Sequence, residues 1–164
     1  MMKIRYGTYT LLGDIEISVT EYYGHGLSQE FEENHRKLSY SKELGYLKGF
    51  TFDTTTNRYK KDVLVSELKN AFFVVTKAKY QGEVFEVEPY YGDEIHLHLA
   101  TKDLELGKKL NFYELHDGEG NSYYLGEVKI TEVEKIWEER QKSSLDIPLP
   151  GNFELYKEIK LESE

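Results

Sequence analysis

The sequence contains no cysteine, three prolines and one tryptophan among its 164 residues. Without cysteine there is no disulfide framework, no thiolate zinc site and no cysteine nucleophile. No apolar run approaches the roughly 18 residues that a membrane-spanning helix requires. The segment from Met1 to Tyr6 lacks the apolar stretch of a secretory signal. A cytoplasmic protein with no membrane association is therefore expected. Positive charge is also scarce: 21 lysines and arginines face 30 aspartates and glutamates, for a net charge of -9. Nucleic-acid affinity rests on phosphate neutralisation, so this balance argues against a nucleic-acid partner.

Catalytic signatures are missing as well. There is no Gly-x-Ser-x-Gly elbow, no Walker A sequence and no glycine-rich dinucleotide loop. Acid pairs such as Glu32-Glu33 and Glu138-Glu139 are sequence neighbours that point apart, whereas a glycosidase holds two acids across a cleft. The chain reads as a non-enzyme without a cofactor.

Aromatic residues are plentiful, at 14% with fourteen tyrosines and eight phenylalanines. Large rings supply the burial that offsets chain entropy, so a wholly disordered chain is excluded. The charge is unevenly placed. Residues 1–75 carry ten acidic and ten basic side chains, and residues 76–164 carry twenty and eleven. All the net charge thus belongs to the second half, which repels nucleic acid and attracts basic partners.

The halves also repeat one another. Tyr59 to Leu68 aligns without gaps to Tyr124 to Val133 at an offset of 65, and Ala71-Phe72 continues onto Ile136-Trp137. Glu21-Tyr22-Tyr23-Gly24 matches Pro89-Tyr90-Tyr91-Gly92 at an offset of 68. Ile15-Glu16-Ile17 matches Phe85-Glu86-Val87, and Ser41 to Leu44 matches Thr101 to Leu104. The first copy carries a longer insert, around Gly24 to Lys37. The pattern predicts a tandem duplication, with units at 1–73 and 74–140 and a C-terminal tail at 141–164 packing back on the body. No linker separates the units, so they are expected to form one compact fold sharing an apolar interface or a continuous sheet. An isolated segment 76–164 is expected to fold poorly.

Within a unit the predicted order is β-β-β-α-β-β with a closing turn. The fold class is α+β and predominantly antiparallel β. Hairpin turns are predicted at Leu12-Gly13-Asp14, at Gln81-Gly82-Glu83 and over Asp117 to Asn121. Glu94 to Ala100 alternates polar and apolar residues as a strand does. Thr101 to Leu110 reads as a short helix with Thr101 as its cap. Ser66 and Thr131 are predicted to cap a final helical turn, with Glu134 completing a capping box for Thr131. The tail has a turn or extended stretch at Pro148 to Gly151, then Phe153 to Ile159 with helix or strand spacing.

Two groups of residues stand out as candidates for a site. His96 and His98 lie two apart on the predicted strand, on one face with Glu94, and are where a divalent metal would be sought. The polar face of an amphipathic strand explains them equally well, and no metal is assigned. None of the five histidines has a histidine at the aligned position of the other unit. The second group is acidic and aromatic. Glu83, Glu86, Glu88, Asp93 and Glu94 are placed to steer a basic partner, with Tyr90, Tyr91 and Tyr124 as contact anchors.

The stretches Lys79 to Val87, Leu99 to Leu104 and Tyr124 to Val133 are similar to small acidic immunity proteins of bacterial polymorphic and contact-dependent toxin systems. The resemblance covers about residues 3–140 and is one of style and repeat pattern. It implies a non-enzymatic inhibitor that binds a cognate toxin domain, often a basic nuclease, and occludes its active site. It carries over no site residue. The alternatives are a phage or mobile-element accessory protein acting as an acidic nucleic-acid mimic, an enzyme with a metal at His96 and His98, and an assembly subunit pairing through edge strands.

Overall fold

Short runs of alternating apolar and polar residues make this a strand-rich chain, each strand turning one face to a core. The computed structural model describes residues 3–89 and 92–161. Its strands are β1 (Tyr6–Leu12), β2 (Ile15–Glu21), β3 (His35–Ser41), β4 (Thr51–Asp53), β5 (Arg58–Leu64) and β6 (Phe72–Tyr80). They continue with β7 (Glu83–Val87), β8 (His96–Thr101), β9 (Tyr113–His116), β10 (Ser122–Lys129), β11 (Lys135–Gln141) and β12 (Tyr156–Ile159). The α-helices among the described residues are α1 (Gln29–Asn34) and α2 (Leu104–Lys109), with single 3-10 turns at Lys42–Leu44, Val65–Glu67 and Ile130–Glu132. The fold is β-rich and antiparallel in β1–β2, β2–β3, β3–β5, β6–β7 and β8–β10. Among the described residues no helix is long and apolar enough to cross a membrane.

The chain divides into two units, and neither is contiguous. The first comprises Gly7–Val74 with Gln141–Phe153, and the second Met1–Tyr6, Val75–Arg140 and Glu154–Glu164.

In the first unit the strand order is β4-β5-β3-β2-β1, with β6 beside β1. Ile17, Val19, Leu38, Tyr40, Phe50 and Val63 form its core. The β1–β2 turn is Gly13-Asp14, between paired Leu12 and Ile15, and Gly13 takes a φ of +59°. Helix α1 lies in the insert, where the sequence pattern predicts no helix. Ser28 caps it, its Oγ accepting from the Phe31 N–H at 3.1 Å. Buried Arg36 folds back on the other end, donating to the carbonyls of Glu32 and His35 at 2.7 and 2.8 Å. Asn70 serves β1 as a substitute strand neighbour. Its Oδ1 accepts from the Leu11 N–H at 2.8 Å and its Nδ2 donates to the Leu11 carbonyl at 3.1 Å. Residues 141–153 close the unit: Ala71 N–H donates to the Pro148 carbonyl at 3.1 Å, and Phe153 lies 4.4 Å from Phe72, ring to ring.

In the second unit the order is β9-β10-β8-β7-β6, with β11 also beside β6 and β12 on β11. Ala78, Phe85, Val87, Leu97, Leu99, Val128, Val133 and Ile136 form its core. The β6–β7 turn is Gln81-Gly82, with φ of +49° and +78°, the left-handed pair that matches strand twist. Helix α2 is capped by Asp103, whose Oδ1 accepts from Leu106 N–H at 3.0 Å, and not by Thr101. Thr101 instead accepts from the Asp103 N–H at 3.1 Å and so positions the capping residue. Gly107 is buried in α2, and Tyr124 packs so close that a Cβ there would lie 2.2 Å from its Cγ, which requires glycine at this position. The expected caps at Ser66 and Thr131 are also corrected: both residues lie inside their 3-10 turns, which have no side-chain cap. Glu134 closes no capping box and accepts from the Gly82 N–H at 3.0 Å. In the tail, Tyr156–Ile159 forms β12, pairing Ile159 with Ile136.

Both units follow the same strand order, β4 to β6 in one corresponding to β9 to β11 in the other. The register is shared too. Buried Thr10, Ile17 and Val19 stand 68 residues before buried Ala78, Phe85 and Val87. Phe85 therefore corresponds to Ile17 and not to Ile15, two residues from the sequence alignment. Strand β3 precedes β8 by 61 residues, since Val19 pairs Leu38 as Val87 pairs Leu99. At that offset His35 and His96 open equivalent strands, a histidine correspondence that sequence alignment at 60 missed. Where α2 stands in the second unit, the first has only the 3-10 turn Lys42–Leu44.

Candidate binding face

The outward face of β7, β8 and β10 carries the candidate residues that the structure brings together. Leu97 and Leu99 point into the core of the second unit, so alternation sends His96 and His98 outward. The strand begins at His96, two residues later than the sequence implies. Asp93 stops it there: its Oδ1 accepts from the N–H groups of Ile95 and His96 at 2.7 and 2.6 Å. These backbone donors, then the His96 side chain, hold the Asp93 carboxyl below the ordinary aspartate range. Glu94 precedes the strand and is exposed.

The carboxylate that joins the two histidines is Glu127, which sequence reading missed. It lies on β10 directly opposite His98, with Lys129 opposite His96. Its Oε2 is 3.1 Å from Nε2 of His98, and its Oε1 is 3.8 Å from Nε2 of His96. Glu127 is 29 residues from His98 and is found only through strand register. Among the described residues no group of three or more His, Asp or Glu side chains is arranged to hold a metal ion.

On β7, Phe85 and Val87 point inward and Glu86 outward, while Glu83 opens the strand, exposed, on the side of Phe85 and Val87. Glu88 follows, half-buried, its N–H donating to the His98 carbonyl at 2.8 Å. Burial pushes the Glu88 carboxyl up, the neighbouring Glu86 adds to this, and His98 opposes it. Tyr124 is corrected as an anchor. It is 4% exposed, packed where Gly107 leaves room, with its hydroxyl 3.4 Å from Glu114 Oε2. That ring is spent on its own unit's core. Tyr90 and Tyr91 lie outside the described residues.

The same face of the first unit differs in chemistry. At the places of Glu86, Glu88, His98 and Glu127 it carries Ser18, Thr20, Lys37 and Asp62. An open groove there is lined by Ser28, Glu30, Phe31, Asn34, His35, Leu64 and Ser66. His35 is structurally engaged, its Nδ1 2.9 Å from the Phe31 carbonyl and its ring stacked 3.9 Å from that of Phe31.

These two units of antiparallel strands, one with a carboxylate-rich face, define a β-rich protein whose pattern runs through most of the chain. The chain belongs to the family described as Uncharacterised conserved protein UCP033725, whose model matches residues 4–144. No curated protein and no solved structure matches it.

Proposed function

We propose that this is a non-enzymatic cytoplasmic binding protein that takes a basic protein partner on the carboxylate-rich face of its second unit. In its most concrete form it is an immunity protein that neutralises a cognate toxin by covering the toxin's active site. One observation carries the reading. Glu86, Glu88 and Glu127 share one sheet face, with Asp93 at its edge beside His96, and the equivalent first-unit face has Ser18, Thr20 and Asp62 at the places of the three glutamates. Such a face accelerates encounter with a basic partner and disfavours acidic ones. The units are read as copies of one duplicated ancestor that diverged in charge. Their common strand order and the 68-residue hairpin register support this.

The test is affinity capture from the source cell with a tagged wild-type chain and an E86K/E88K variant, with partners identified by mass spectrometry. A basic toxin domain should be retained at low salt, released at high salt, lost by the variant, and inhibited by the wild-type chain. Retention that ignores both salt and the substitutions would sink the reading. Capture of a host nucleic-acid enzyme through the same face would replace it with that of an acidic mimic.

A further inference from the structure

Asp93, His96, Glu127 and His98 form a chain in which carboxylate and imidazole alternate. Asp93 Oδ2 is 3.2 Å from Nδ1 of His96, and Glu127 then spans Nε2 of His96 and Nε2 of His98 at 3.8 and 3.1 Å. The histidine side chains are 28% and 17% exposed, against 62% for Asp93 and 55% for Glu127. The rings thus lie low in the sheet face, and the carboxylates stand over them toward solvent.

The neighbouring elements complete the electrostatic setting. From β7 come Glu86 and Glu88, the latter near enough to His98 to feel its charge. From β10 come Glu127 and Lys129, the lysine opposite His96. Beyond β7, Lys77 and Lys79 of β6 pair with Glu139 and Glu134 at 2.8 and 3.8 Å.

We propose that this alternating chain makes the carboxylate-rich face a pH-gated binding surface. The inference rests on the reading of that face as the place where a basic partner docks. With both imidazoles neutral, Glu86, Glu88, Asp93 and Glu127 offer four negative charges outward. Protonated, His96 and His98 become internal cations already in contact with Asp93 and Glu127, and they occupy the carboxylates that the partner's arginines or lysines would use. Imidazole is the side chain whose ordinary titration falls between pH 5 and 8, so the gate operates under mild acidification. The partner is held near neutrality and released as pH falls.

The experiment measures fluorescence anisotropy of a labelled nona-arginine peptide with the full chain, from pH 5.5 to 8.0 at constant ionic strength. Wild type, H96Q/H98Q and E86K/E88K are compared. Wild-type affinity should fall about tenfold between pH 7.5 and 5.5, and H96Q/H98Q should change by less than about threefold. The variant retains Glu88, so the difference isolates the imidazoles. Equal pH dependence in wild type and H96Q/H98Q, with the peptide bound by both, overturns the gate and leaves the binding face intact. Equal affinity of wild type and E86K/E88K at pH 7.5 overturns the face and the gate with it. A second readout needs no substitution: the ring resonances of His96 and His98 should titrate together with peptide release. Rings that remain in one protonation state across this range overturn the proposal.

Discussion

Arg5 grips Glu138 with two parallel hydrogen bonds, Nε to Oε2 at 2.6 Å and Nη2 to Oε1 at 2.9 Å. The two side chains are 12% and 7% exposed, and Arg140 adds a third contact, at 3.4 Å. Removing one partner of a buried pair leaves a charge that water does not reach. Arg5→Ala should therefore destabilise the protein by about 3 kcal/mol, read from urea unfolding. A segment 76–164 lacks Arg5 altogether. Its expected failure to unfold cooperatively would have this as one cause.

The same pair sets an acid limit. Burial pushes the Glu138 carboxyl up, but the hydrogen bond and charge of Arg5 and the charge of Arg140 outweigh it and hold it below the usual range. A carboxylate with a lowered folded pKa contributes stability that is present above about pH 4.3, its unfolded value. That contribution is lost as pH falls through the lower folded value. Urea midpoints measured from pH 7 to 3 should decline below about pH 4. Glu138→Gln should be less stable at pH 7 and show a shallower decline.

Gly107 and Tyr124 make a second test of packing. Alanine favours a helix over glycine by about 1 kcal/mol. Here its Cβ would meet the root of the Tyr124 ring at 2.2 Å, and a buried ring has nowhere to move. Gly107→Ala should cost a net of about 2 kcal/mol, measured by thermal or urea unfolding. Stabilisation by this substitution would show that α2 shifts freely on β10.

Asn70 gives a prediction in the first unit. Its amide satisfies both backbone groups of Leu11 and lies 3.2 Å from the Thr10 hydroxyl. Asn70→Ala leaves a donor and an acceptor without this partner and should cost about 2 kcal/mol. Hydrogen exchange at the Leu11 amide should accelerate in the same variant.

What can be read from the sequence is what the chain decides locally. Gly13-Asp14 and Gln81-Gly82 announce their hairpins because turn residues sit between alternating runs. The short helix after Thr101 is legible as well, although its cap lies at Asp103, where the side chain reaches Leu106. Helix α1 hides in a polar insert, six residues with no buried member, and its one signal is Ser28 followed by Glu30 and Glu32. Distant partnerships leave no local mark. Arg5 and Glu138 are 133 residues apart, and Thr10 and Asn70 are 60 apart. In the candidate face, the acids of β7 are visible in sequence as a cluster. Glu127 is not, because its meeting with His98 depends on the pairing of β8 with β10. Tyr124 misleads for a related reason: adjacent tyrosines on a strand face opposite ways, and only the fold decides which one is enclosed.

The division of the chain has a consequence for its synthesis. The first unit takes Gln141–Phe153, which leave the ribosome after most of the second unit has been made, and the second unit takes residues delivered before the first. Domains that fold in order of emergence need contiguous segments. Here each unit is built from segments that the other unit's residues separate in the chain. Neither unit is therefore complete until its last segment, Gln141–Phe153 in one and Glu154–Glu164 in the other, has been synthesised.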